Sequence, residues 1–335
     1  MRGRRVCISA PGKTVLEEVT IDPDQLKPTE IILQTQYTLI SAAAEVGLYT
    51  GKDWEWDVLY PRYPGFSSVG VVTHSGGEVG RVLPGDLVFS YANHASLTVL
   101  DVARDFCLKV PEDIVPQQAL FARLGSVAMT APTVATYKPG DWVVLFGLGL
   151  VGNLAAQVFG QSGTKVIGVD LVDTRLELAR KCGIEYTVKH HVEHLPNIVQ
   201  NLTDGRGAEI VIDAIGNADC VVDGVDLLRR GGQVLLLGHM REPSDALASD
   251  LIRKVFLKWA TVKSSWEWQL PQWESDQVQT SIESNCRDIF KMLQAGSLKV
   301  EELISHTIAP DEIEKGYEGL LNHKDDYWGV VIDWT

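Results

Sequence analysis

Three glycines, Gly147, Gly149 and Gly152, stand in the string FGLGLVG as G-x-G-x-x-G. Alone, such a string is weak. Here the apolar run DWVVLF leads into it, and the helical run GNLAAQVFGQSG leads out of it. A second apolar run, KVIGVD, then ends in Asp170, about twenty residues downstream. That order predicts a strand–turn–helix–strand unit that holds a dinucleotide. Gly147 permits the tight turn, Gly149 lets backbone approach a pyrophosphate, and Gly152 lets the helix sit close on the strand. Leu148, Leu150 and Val151 complete the loop, whose N–H groups at the helix start face phosphates. Asp170 suits the hydroxyls of an adenine ribose and repels a 2′-phosphate, which predicts NAD over NADP. Leu171, Ile215, Gly238 and His239 are further expected cofactor contacts. Arg175 is either a stacking partner for adenine or a surface arginine of the next helix. His190, His191 and His194 invite a metal reading; the expectation is a solvated helix or loop face away from the chemistry, and no metal.

The elements that carry these residues change character along the chain. Up to about residue 115, segments such as EIILQTQYTLI and VGVVTH are strand-like, with Gly and Pro punctuation. From Pro116, QQALFARLGSVAMTAPTVATY has helical spacing, with Pro132 as a kink or break. From Asp141 short apolar strands alternate with helices, the pattern of a parallel sheet covered on both faces. ESNCRDIFKMLQAG reads as a helix ending at Gly296, DEIEKGYEGLL as another, and WGVVIDW as a closing strand. The 335 residues favour two domains. The expected boundaries are a β-rich domain from residues 1–119 and 267–335, and a nucleotide domain, 120–266, inserted between them.

The net charge of −14 argues against nucleic acid and anionic membrane as partners. The five cysteines are scattered and form no C-x-x-C pair, which points to a reducing compartment. MRGRRVCISAPGK has no apolar run behind its basic residues, and no stretch approaches a membrane span, so a cytoplasmic enzyme is expected.

Taken together, PRYPGFSSVGVV, VLPGDLVF, KPGDWVVLFGLGLVG, LTDGRGAEIVIDAIGN and LLRRGGQVLLLG resemble successive segments of the medium-chain alcohol dehydrogenases over nearly the whole chain. The resemblance implies an α/β protein with a GroES-like barrel domain and a Rossmann doubly wound sheet. It also implies a small-molecule substrate and assembly as a homodimer or homotetramer. The departures concern metal. Aligned on Glu45, the family's zinc-ligating cysteine falls on Ala42, its His-Glu pair on Phe66 and Ser67, and its later glutamate on Ala122. Alanine and phenylalanine offer zinc no lone pair. The four-cysteine lobe is also missing between Phe89 and Cys107, so the chain resembles the zinc-free branch. Ile40, Ser41 and Glu45 fit that branch's I-S-x-G-T-E segment; Ala43 and Ala44 do not.

Without zinc, an alcohol of pKa about 16 is far from ionised, and a gap of roughly nine units is about 12 kcal/mol. A general base with a pKa near 7 is the economical remedy. His94, in SYANHAS, lies where the resemblance places the substrate cleft, with Tyr91 and Asn93 beside it to orient or relay. Glu45 is a second candidate, as base or as structural ion pair. Arg123, next to Ala122, can bind a substrate anion, pair with Glu45, or point to solvent. Trp54, Trp56, Tyr60 and Tyr63, and then Trp266, Trp268 and Trp273, form aromatic clusters that suit either packing or a flat substrate. Three functions fit: an NAD-dependent, zinc-independent dehydrogenase of a polyol, sugar-like or cyclic secondary alcohol; a zinc-free reductase of enones or quinones; or a non-catalytic NAD(H)-binding sensor or scaffold.

Overall fold

The computed structural model describes residues 1–335 except 53–57, 241–242 and 279. The chain divides into two compact units. The first comprises Met1–Arg123, Cys286–Gly296 and Leu303–Thr335; the second comprises Leu124–Asn285 and Ser297–Glu302. The division differs from the expected one mainly at residues 267–285, which belong to the second unit.

The first unit is a seven-stranded sheet with a separate hairpin. The hairpin pairs Arg2–Ala10 with Lys13–Thr20 through a turn at Gly12, whose φ of +69° is open to glycine. The strand Glu30–Leu39 is central to the larger sheet, pairing with Ser68–Ser75, Leu97–Asp101 and the chain-terminal Val330–Asp333. Its Ile31, Ile32 and Leu33 are wholly buried, so the apolar run that predicts a strand also anchors the core. The helices Ala42–Thr50 and Ile313–Asn322 pack together, and Tyr49 stacks on Tyr317 with ring centroids 4.9 Å apart.

The second unit holds a six-stranded, all-parallel sheet. The strand order is Tyr186–Lys189, Lys165–Asp170, Trp142–Phe146, Ala208–Asp213, Leu228–Leu236, Thr261–Ser264. This is the order of a doubly wound Rossmann sheet, with its switch point between the strands Trp142–Phe146 and Ala208–Asp213. Every residue of both is buried, as helices on both faces require. Lys299 ties the returning segment to this unit: its N–H donates to Gln157 Oε1 at 2.8 Å, and its carbonyl accepts from Gln157 Nε2 at 2.9 Å.

One local expectation is corrected. The helical stretch after Pro116 breaks at Leu120, between the helices Pro116–Ala119 and Phe121–Val134. Pro132 lies inside the second helix, which continues through it to Val134.

Candidate functional site

In the first unit, the helix Ala42–Thr50 begins at Ser41 and presents Glu45 inward, 1% exposed. Glu45 Oε1 accepts from the Ser41 N–H at 2.8 Å. Its Oε2 accepts from the Tyr317 hydroxyl at 2.8 Å and lies 2.8 Å from His94 Nε2. His94 is fully buried. Its backbone is pinned on both sides, with its N–H on the Pro64 carbonyl at 2.9 Å and its carbonyl on the Val6 N–H at 2.8 Å. Gly65, at φ +102°, lies flat against the ring: a Cβ there would stand 2.9 Å from Nδ1. With Nε2 donating to the carboxylate, a neutral ring carries its lone pair on Nδ1. That atom is buried without a hydrogen-bond partner among the described residues. Glu45 thus fixes the orientation of the His94 ring. Burial and the charge of Glu45 push the Tyr317 hydroxyl well above the usual tyrosine range, so it stays a donor.

Arg123 is also buried, which excludes the solvent-pointing alternative. Its guanidinium carbon lies 4.9 Å from the centroid of Phe66 and 4.6 Å from that of Tyr91. A guanidinium between two ring faces is a cation–π arrangement, worth more when desolvated. Two residues at positions aligned with zinc ligands are now placed: Phe66 supplies one of those rings, and Ser67 donates from Oγ to the Leu120 carbonyl at 2.7 Å. Among the described residues, no group of three or more His, Cys, Asp or Glu gathers to hold a metal ion. Asn93 is exposed and bonds the Tyr63 carbonyl. Tyr60 donates to the Leu48 carbonyl at 2.8 Å, while Tyr63 lies under Arg5. Trp54 and Trp56 lie outside the described residues.

In the second unit, the predicted turn is formed as its residue types require. Gly147 has φ +90°, and a Cβ on Gly152 would fall 1.8 Å from the Gly147 carbonyl oxygen. A Cβ on Gly149, the N-cap of the helix Leu150–Gln161, would meet nothing within 4 Å. That open space over a helix N-terminus fits a pyrophosphate. Asp170 ends its strand and accepts from the N–H groups of Leu148 at 2.7 Å and Val172 at 2.9 Å. Arg175 stands 3.7 Å from the same carboxylate. A cavity of about 280 Å³ opens here, lined by Gly147, Asp170, Leu171 and Ile215 from the expected set. Gly149, Gly152, Leu148, Leu150, Val151, Arg175, Gly238 and His239 are not among its lining residues. Gly238 is a close-approach position, its N–H on the Asp213 carbonyl at 2.7 Å.

The solvated face expected for the histidines is seen at His191 and His194, and a cavity adds a second environment. His190 and His191 line it together with Phe146 and three residues of the helix Ala218–Leu227 (Asp219, Cys220 and Asp223). His191 and His194 are exposed, and the His194 Nδ1 caps the helix Leu195–Leu202 through the Asn197 N–H at 3.3 Å. One neighbour of the Glu45 site went unseen in the sequence. Tyr317 reaches Glu45 across 272 positions, a pairing that no local spacing announces. His190 follows a parallel strand, and such strand ends face the ligand crevice, a signal the sequence reading did not use.

Residues 147–281 match the family model described as zinc-binding dehydrogenase. That match covers none of positions 42, 66, 67 and 122. The chain is similar to D-xylulose reductase of Saccharomyces cerevisiae, 28% identical over 274 residues, covering 71% of this chain and 76% of that protein. Among solved structures, the alcohol dehydrogenase of Thermus sp. ATN1 superposes with a TM-score of 0.80 at 22% identity, covering 98% of this chain and 99% of that one. Galactitol-1-phosphate dehydrogenase of Escherichia coli does so with a TM-score of 0.83 at 18% identity and the same coverage. These two show the shared α/β fold.

Proposed function

We infer that this chain, a member of the medium-chain, zinc-type alcohol dehydrogenase-like superfamily, is an oxidoreductase acting on the CH–OH group of a polyol, sugar-like or cyclic secondary alcohol. We further propose that it uses NAD and works without zinc. One observation carries the proposal: in the first unit a buried His94–Glu45 pair backs onto Gly65, next to Phe66 at a ligand-aligned position. Where relatives of this kind place a metal, the chain offers an acid–base pair and a guanidinium.

Bound NAD would supply the hydride acceptor. The chain's own residues manage the proton. His94 is proposed as the base that ultimately receives the substrate's hydroxyl proton, and Glu45 holds the ring and would stabilise the imidazolium. Tyr317 and the Ser41 N–H keep the carboxylate in place. Arg123 supplies fixed positive charge, and Tyr91 fixes its plane. The loop around Gly149 would receive the pyrophosphate. Asp170, already holding Leu148 and Val172, supports NAD through its charge, which opposes a 2′-phosphate. Cysteines joined by no disulfide suit a reducing compartment such as the cytoplasm.

We also propose a homodimer or homotetramer. The helix Ala248–Lys258 buries none of its residues, and Ile252, Phe256 and the following Trp259 are 68%, 77% and 69% exposed. The strand Thr261–Ser264 beside it is an open sheet edge, the kind of surface that a second copy covers.

The test is metal analysis of the purified protein, with turnover of polyols and cyclic alcohols in NAD and NADP before and after exhaustive chelation. Expected are no stoichiometric zinc, NAD-linked activity indifferent to chelator, and a kcat for His94→Gln lower by about 10²–10⁴. Stoichiometric zinc with activity lost on chelation would falsify zinc independence. Turnover confined to enones would move the chemistry to C=C reduction, and binding without turnover would leave a sensor.

A further inference from the structure

His190 and His191 directly follow the edge strand Tyr186–Lys189 of the parallel sheet. The His190 N–H donates to the Asp170 carbonyl at 3.0 Å, which draws the turn over the end of the neighbouring strand. The two imidazoles are in contact, with centroids 3.9 Å apart and planes inclined by 37°. His190 is edge-on to Phe146 at 5.9 Å. His191 sits at φ +63°, a left-handed conformation that costs a residue with a Cβ, so the turn holds it there against its preference. Both residues line the cavity that Gly147 and Asp170 share, together with the apolar Val169, Leu171 and Ile215.

We propose that His190 and His191 are coenzyme-binding residues that wall the adenosine half of the nucleotide, so that nucleotide affinity falls in acid; this rests on the assignment of the cavity to NAD. A flat, uncharged imidazole face suits a purine. Two imidazoliums at contact distance repel each other, and a nucleoside laid over them strips their water. Burial, and then His191, already hold His190 below the usual histidine range, against an opposing pull from Asp223. The other titratable and charged groups around the pair are Asp170 from its strand, Asp219 and Cys220 from the helix Ala218–Leu227, and Lys189, Glu193 and His194 of its own segment. Burial pushes the Cys220 thiol up to about 12, so it keeps its proton. Among these residue types, only imidazole ordinarily titrates between pH 5.5 and 7.5.

The experiment measures dissociation constants from pH 5.5 to 8 for NADH, by fluorescence, and for adenosine and nicotinamide mononucleotide, by calorimetry. NADH and adenosine are expected to bind about three- to tenfold more weakly at pH 5.5 than at 7.5, and nicotinamide mononucleotide without that slope. The variant His190→Gln/His191→Asn, in which Asn tolerates the left-handed backbone, is expected to flatten the slope. His190→Gln alone, with ordinary backbone, is expected to reduce it and serves if the double variant does not fold. His194→Asn, which keeps a helix cap, is expected to retain the wild-type slope. A flat or inverted wild-type profile, or a wild-type slope in the His190→Gln or the double variant, overturns the role of the histidines while NAD binding stands. A wild type that binds none of the three probes overturns the NAD assignment as well.

Discussion

Glu45 meets three donors with two oxygens while shut away from water, so the loss of any one of them is uncompensated. Tyr317→Phe removes the hydroxyl and nothing else. A hydrogen bond to a charged group is worth about 1.5–3 kcal/mol, and that loss is expected as a lower urea midpoint at unchanged slope. Because Tyr317 acts through Glu45, a positioning role also lowers kcat with little change in KM, whereas a merely structural role moves only the midpoint. The contrast with Glu318 is useful. It accepts from Tyr49 at 2.8 Å at the partly buried end of the Tyr49–Tyr317 stack, where water can replace it. Residue identity alone would not separate the two glutamates; depth in the fold does.

At the scale of the element, the two glycines three positions apart in the turn separate fold from function. Gly152 has no room for a methyl group, since its Cβ would lie 1.8 Å from a carbonyl oxygen. Gly152→Ala is therefore expected to destabilise the second unit by about 1–3 kcal/mol or more, read as a lower melting temperature. Gly149→Ala meets no protein atom within 4 Å and should melt like the wild type. It is nevertheless expected to lose about tenfold or more in NADH affinity, because the space it fills is the proposed seat of the pyrophosphate. This turn was fully legible in the sequence, as local steric needs write themselves into local spacing. The turn at His190 was not, because its meaning lies in the neighbouring strand over which it folds. The break at Leu120 was likewise hidden: Pro132 is the visible breaker, yet the helix runs through it to Val134.

At the scale of the molecule, a two-sheet α/β protein was readable because each sheet type leaves its own apolar rhythm. The gathering of His94, Glu45 and Tyr317 from distant parts of the chain was readable only in part, through the first two. The exposed helix Ala248–Lys258 gives this scale its prediction. Phe256→Glu puts charge on its most exposed apolar position and is expected to weaken self-association by about tenfold or more, seen by sedimentation equilibrium. An unchanged assembly state would place the interface elsewhere. Finally, the guanidinium of Arg123, clasped between Phe66 and Tyr91, is covalent with the chain. On the proposed function such a centre has no loading step. It is complete when the polypeptide has folded, needs no delivery system, and cannot be mismatched with a competing ion when cellular supplies change.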